Sequence, residues 1–187
     1  MGRSSKESVR RLYEIASKQQ GYFTTKQAIT AGYPDTVHSY HLKNGDWIRC
    51  RRGIYRLNRY PASDQGDLVV WALWSRGRDD QPQGVFSHQT ALEIHGLLKR
   101  VGEGRYNMTV PPRFRKLNGI PDDIILHHED LLPEYIEHRE GFSLTTLAKT
   151  LADLERESGL DRFLPLEEAE RMRGRQDVQE ILRRAKG

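Results

Sequence analysis

The sequence predicts an α+β protein in two parts. Two observations point to it. Segments with apolar residues at helical spacing alternate with short runs of strand character. The charge is also unevenly spread: residues 1–60 hold twelve Lys/Arg against four Asp/Glu, a net +8, and the remaining residues hold 18 against 22, a net −4. The sign changes near Tyr60-Pro61-Ala62-Ser63-Asp64, where Pro and a Ser/Asp cap interrupt the pattern. The expected division is therefore 1–60 and 61–187.

Composition narrows the class. At 187 residues, 36% hydrophobic and 30% charged, the chain is globular and not wholly disordered. No apolar run approaches the roughly 20 residues of a membrane-spanning helix. The opening MGRSSKESVRR is polar and lacks the apolar stretch of a signal peptide. One cysteine, Cys50, permits no internal disulfide and fits a reducing cytoplasm, the expected location.

Residues 5–20 read as a first helix, with Val9, Leu12, Tyr13 and Ala16 at helical spacing, Ser5 at its start and Gly21 at its end. Tyr22 and Phe23 should pack between this helix and the next. Thr24 and Thr25 offer hydroxyls to cap a short helix, Lys26 to Ala31. Gly32-Tyr33-Pro34 stops that helix, and Asp35 is placed to cap a second one, Thr36 to Asn44, closed by Gly45. Trp47 to Arg51 and Ile54 to Leu57 then alternate about an Arg52-Gly53 turn, as a hairpin does. Helix, turn, helix and hairpin in that order resemble a winged helix-turn-helix, a DNA-binding unit.

At 100° per residue, Val37, His38, His41 and Leu42 share one arc of the second helix and suit burial. Thr36, Ser39, Tyr40 and Lys43 take the opposite arc, where hydroxyls, a ring and a cation could reach bases or phosphates. Such residues are also common on any solvated helix face. On the hairpin, Ile48, Cys50, Tyr55 and Leu57 are expected inward, Arg49, Arg51 and Arg56 outward, and Arg52 at the tip. Four arginines in eight residues exceed what an edge strand needs against aggregation. The candidate DNA contacts are thus Thr25, Lys26, Thr36, Ser39, Tyr40, Lys43, Arg49, Arg51, Arg52 and Arg56.

The second part reads as a mixed α/β C-terminal domain. Helices are expected at Gln65 to Ser75, His88 to Ile94, up to about Glu157 after Ser143-Leu144-Thr145-Thr146, Glu167 to Arg173, and Asp177 to Lys186. Strands are expected at Val85-Phe86, Tyr106 to Val110, Ile124 to His128 and Tyr135 to Arg139. Trp71 and Trp74 should anchor core. Arg113, Arg115 and Lys116 form a further basic patch, either a solvated loop or an added nucleic-acid contact.

No catalytic or metal site emerges. His127-His128-Glu129-Asp130 invites a metal reading, but neighbours on a strand face opposite ways, and no Cys cluster or HExxH spacing accompanies them. Gly102-Glu103-Gly104 is too short for a phosphate loop. Ser87, His88 and Asp153 could be imagined as a hydrolase set, but Ser87 is better used as a helix cap. Arginines around Cys50 could lower its thiol pKa and make it redox-sensitive, although an inward small hydrophobe is the simpler reading. No cofactor is expected.

The run from Phe23 to Tyr60 resembles the AbiEi family of antitoxin-type transcriptional regulators of type IV toxin–antitoxin systems. The resemblance rests on Phe23-Thr24-Thr25, Ala31-Gly32, His41-Leu42 before Gly45, and above all Arg52-Gly53-Ile54-Tyr55-Arg56-Leu57. Phe86 to Leu92, Thr109-Val110-Pro111 and Thr145-Thr146 leading to Thr150-Leu151-Ala152-Asp153 are similar to the rest of that family. It implies a winged helix bound to double-stranded operator DNA, repressing its own operon. It also implies a C-terminal domain tied to antitoxin action against a nucleotidyltransferase-like toxin, and leaves room for a homodimer on DNA. The expected function is a non-enzymatic, sequence-specific repressor. The alternatives are a nucleic-acid-processing enzyme that docks through the winged helix and a protein-interaction adaptor.

Overall fold

The computed structural model describes residues 2–99, 104–117 and 119–185. The Gly102-Glu103 pair and the helix end expected at Lys186 lie outside them. The chain forms two compact units, residues 1–83 with 139–142, and residues 84–138 with 143–187. No described helix is long and apolar enough to cross a membrane.

The first unit begins with α1 (Gly2–Ser17), whose buried side is Leu12 and Ala16. It stops three residues short of the expected end because Gln20 and Gly21 take positive φ, 52° and 86°. The Gly21 N–H turns back to the Ala16 carbonyl at 2.8 Å, a helix-ending bond of the kind glycine favours. Tyr22 and Phe23 are then strand: β1 (Tyr22–Thr24) pairs with the hairpin formed by β2 (Trp47–Arg51) and β3 (Ile54–Leu57), in the order β1-β3-β2, all antiparallel. Three residues are too few to show a period, so β1 was legible only as packing.

Between these strands lie α2 (Thr25–Thr30) and α3 (Asp35–Lys43). Thr24 and Gln27 form a capping box at the head of α2, with Thr24 Oγ1 accepting from the Gln27 N–H at 3.1 Å and Gln27 Oε1 accepting from the Thr24 N–H at 2.9 Å. The cap position of α3 is Pro34, and not Asp35 as expected. Asp35 occupies the first turn instead, where its carboxylate meets the helix dipole and lies 3.3 Å from His38 Nδ1.

A three-stranded sheet has two faces, and both are covered. Directly paired residues share a face, so Phe23, Tyr55, Trp47 and Leu57 form one side, packed on Leu12, Ala16, Ala28 and Ala31. Tyr22, Arg56 and Ile48 fall on the other. That other side receives α4 (Gly66–Trp74), which packs on β1 and β3 and buries seven of its nine residues. The Tyr22 hydroxyl rests on Gly66, where any side chain would collide with it. The unit therefore continues to residue 83, past the division expected at residue 60. Pro61 to Asp64 mark a loop between two elements of one core.

In the second unit, β4 (Val85–Phe86), α5 (His88–Ile94), β5 (Tyr106–Val110), β6 (Ile124–His128), β7 (Ile136–Arg139) and β8 (Phe142–Thr145) are followed by α6 (Leu147–Glu157), α7 (Leu166–Arg173) and α8 (Gln176–Arg184). The sheet order is β6-β5-β4-β8-β7, with β5 antiparallel to β4 and parallel to β6. The residues expected to lead into α6 are themselves a strand, because β8 pairs in parallel with β4 at Phe86–Leu144, a partner far away in sequence. Leu92, Leu151, Leu154, Leu160, Leu164 and Val178 form the helical core.

Beside that core lies an ionic group. Lys149, 3% exposed, donates at 2.7 Å both to Asp153 Oδ1 one turn later on α6 and to Glu129 Oε1 beyond β6. Burial raises the Asp153 carboxyl pKa, opposed by the hydrogen bond from Lys149. Removing one member strands the other charge. Lys149→Met should therefore cost about 3–5 kcal/mol in denaturant unfolding, whereas Lys149→Met with Asp153→Leu should recover much of that loss. A double variant no more stable than the single one would show that the ion pair is not the reason for the loss.

Candidate nucleic-acid interface

The helix-turn-helix presents α3 through one aromatic cluster. Trp47, 4% exposed, stacks on His41 at 4.7 Å between ring centroids and meets His38 and Tyr33 edge-on at 5.2 Å each. On its sheet side it meets Phe23 at 4.9 Å and Tyr55 at 5.8 Å. His38 is buried and lies 2.9 Å from the Tyr33 carbonyl oxygen, and His41 Nδ1 lies 3.0 Å from Asp46 Oδ2. The inward arc of α3 is thus held by rings from both the turn and the wing.

The outward arc is solvated as its angles require. Thr36, Ser39, Tyr40 and Lys43 are all exposed, Tyr40 by 60%. Tyr40 Oη accepts a long hydrogen bond from Asn44 Nδ2 at 3.4 Å, which leans the ring along the helix. Arg49 and Arg52 are exposed on the wing, and with Lys43 they make no hydrogen bond or ion pair among the described residues. These side chains form a surface of hydroxyls, one ring and three cations.

Four expected contacts sit differently. Strand register puts Arg49 opposite Tyr55 and Arg51 opposite Ile54, with a bulge between them at Cys50. The bulge turns Arg51 to the α4 side, where its guanidinium lies 3.6 Å from the centroid of the Trp71 ring. Arg56, opposite Tyr22 and Ile48, is on that same side and half-buried, donating to the Tyr60 carbonyl at 3.0 Å. The outward placement of Arg51 and Arg56 is therefore corrected: strict alternation fails at the bulge, and β3 is buried on both faces. Thr25 is half-buried, its N–H donating to the Gly53 carbonyl at 3.0 Å. Lys26 is exposed but reaches the Arg78 carbonyl at 3.2 Å.

Cys50 is half-buried, and burial raises its thiol pKa; Arg56 opposes that and Asp67 adds to it. The thiolate-favouring environment considered from the sequence is absent there.

In the second unit, the imagined hydrolase set does not form. Ser87 is at the cap position of α5, but its Oγ makes no cap bond; it lies 2.9 Å from His88 Nδ1 and accepts from Thr109 Oγ1 at 2.8 Å. Asp153 is engaged by Lys149 and by Arg156 at 3.3 Å. His127 and His128 do point apart: His127 is half-buried and His128 exposed. What the sequence did not reveal is that His127, His88 and Glu157 converge. They are 30 to 69 residues apart, and no local spacing signals them.

The corrected placements separate two roles among the arginines. Arg51→Ala should lower unfolding stability by roughly 0.5–2 kcal/mol through the lost contact with Trp71. Arg49→Ala and Arg52→Ala should stay within about 0.5 kcal/mol of the parent. Equal losses at all three positions would contradict the register described.

Comparison with known proteins adds to this geometry. No curated protein matches the chain. Among solved structures, the crystal structure of the RV2827C protein from Mycobacterium tuberculosis is similar, at 16% identity, covering 94% of this chain and 76% of that one, with a TM-score of 0.49. Residues 10–58, from within α1 to just past β3, match the family model AbiEi_4, described as transcriptional regulator, AbiEi antitoxin. The helix-turn-helix and wing of this chain are thus similar to those of AbiEi antitoxin transcriptional regulators.

Proposed function

We propose that this protein is a non-enzymatic, sequence-specific repressor that binds double-stranded operator DNA, controls its own operon, and serves as the antitoxin partner of a nucleotidyltransferase-like toxin. The observation that carries the DNA reading is the solvated arc of α3 together with a wing whose two exposed arginines have no partner among the described residues. The family match over the same residues supports it.

The roles divide by chemistry. Ser39 and Tyr40, in the middle of the exposed arc, would meet base edges, since a hydroxyl can donate or accept and a ring can lie on a thymine methyl. Thr36 and Lys43, at the two ends of the arc, would fix the helix on the backbone; Arg49 and Arg52 would do so from the wing. Arg51 and Arg56 would contribute by holding the wing. The second unit, with 15 Lys/Arg against 17 Asp/Glu and so a net −2, has no excess of cations to draw a polyanion and is the part proposed to answer to the toxin.

Binding to the protein's own upstream DNA, followed by mobility shift across a salt series, tests this. Loss of two phosphate contacts should flatten the log–log salt slope by about 1.8 in the Arg49→Ala, Arg52→Ala double variant, with all sequences weakened alike. Ser39→Ala or Tyr40→Ala should instead change operator preference by roughly five- to 150-fold at one position, about 1–3 kcal/mol. If both single variants keep the melting temperature and the full preference, α3 is not the reader. An unchanged slope in the double variant would remove the wing from the interface.

A further inference from the structure

We propose that His88, His127 and Glu157 form a binding site for one divalent transition-metal ion of the zinc class. The three residues come from the head of α5, from β6 and from the last residue of α6. One ligand atom of each lies within 4.8 Å of the other two.

The backbone at His88 takes an uncommon conformation. Its φ is +50°, in the left-handed region, which histidine enters more often than most non-glycine residues but still rarely. Such strain persists only where surrounding structure enforces it, and it gathers at sites of function. The conformation lays the His88 ring on that of His127, with centroids 3.6 Å apart and planes 13° from parallel. Two charged rings would repel each other in such a stack, so at least one of the pair is neutral. The neutral ring is the form that ligates a metal.

Each ring has one nitrogen fixed by the protein and one left over. His127 Nε2 lies 3.0 Å from Asn107 Oδ1; the tautomer that donates from Nε2 to that oxygen keeps the lone pair on Nδ1. His88 Nδ1 lies 2.9 Å from Ser87 Oγ, whose hydroxyl serves either tautomer and is itself held by Thr109. Binding would select the tautomer with hydrogen on Nδ1 and the lone pair on Nε2. That nitrogen lies 3.6 Å from Glu157 Oε2. Partners of this kind, fixing the outer nitrogen, are what orient metal-ligating histidines. The nearby cations Lys149 and Arg156 are already met by Glu129 and Asp153.

Two nitrogens and one carboxylate, with no thiolate, favour Zn²⁺, Co²⁺, Ni²⁺ or Cu²⁺ over the oxygen-seeking Mg²⁺ and Ca²⁺. Three protein ligands leave a fourth position for water or for a group from a bound partner. An ion must lie in the plane of each ring, so loading would unstack the pair and draw Glu157 inward. Glu157 is 56% exposed in its side chain and ends its helix, so it can follow.

The test is titration of the full-length, chelator-treated protein with Co²⁺, read by its visible absorption, followed by displacement with Zn²⁺. One equivalent should bind per chain, with the spectrum of a four-coordinate site, and Zn²⁺ should displace it. His127→Gln and Glu157→Gln should each weaken binding at least about tenfold. Glu157→Gln, at an exposed position, should leave the circular dichroism spectrum unchanged, so its loss of binding would not report unfolding. Absence of stoichiometric binding would overturn the proposal. Binding unchanged by either substitution would also overturn it, by placing the ion on other histidines such as His41 with Asp46.

Discussion

The packing around Trp47 is the constraint on which the first unit depends. Trp47 starts the wing, stacks on a histidine of α3, and packs against Phe23 of β1 and Tyr55 of β3. One side chain thus fixes the angle of α3, the position of the turn at Tyr33 and the start of the hairpin. A short helix is marginal alone, and α3 has nine residues. Its exposed arc has a defined direction because its other arc is held by rings. The direction of the arc follows from packing: Thr36 and Ser39 are exposed because His38 and His41 are held inward by the rings.

The second constraint is that a sheet must be covered on both faces. The winged fold accomplishes this with α4, which draws Arg51 and Arg56 toward the covered side. The net +8 of the first sixty residues therefore overstates what the surface can offer a polyanion. Some of that charge serves the fold: Arg51 spreads its guanidinium over Trp71, a use for which its planar, weakly hydrated head is suited. On the helix-turn-helix and wing, Lys43, Arg49 and Arg52 keep exposed cationic side chains.

The second unit places its polar residues otherwise. Lys149 and Asp153 are buried as a pair on α6, and the buried His88 on α5 stacks on the half-buried His127 of β6, with the Leu92–Leu151–Leu154 core carried by the same two helices. Apolar residues at these positions would pack at lower cost. The ionisable groups kept there, with a left-handed backbone at His88, are the observations on which the proposed metal site rests.

Much was legible in the sequence because its signals were local. Caps, turn glycines, the Arg52-Gly53 wing and the two arcs of α3 each depend on residues within a few positions of one another, and the charge asymmetry required only counting. The resemblance to AbiEi regulators lay in the same local runs. What the sequence left open depended on distant partners. By sequence alone β8 looks like a lead-in to a helix, because its partner β4 lies nearly sixty residues earlier. By alternation alone Arg51 faces outward, because a bulge is a property of a paired register and cannot be seen in one strand. The unit's extent to residue 83 and the meeting of His88, His127 and Glu157 were decided the same way. Local chemistry determined which elements form and which residues are able to bind; only the tertiary structure decided which faces are covered, because burial is a property of two surfaces and the sequence lists them one at a time.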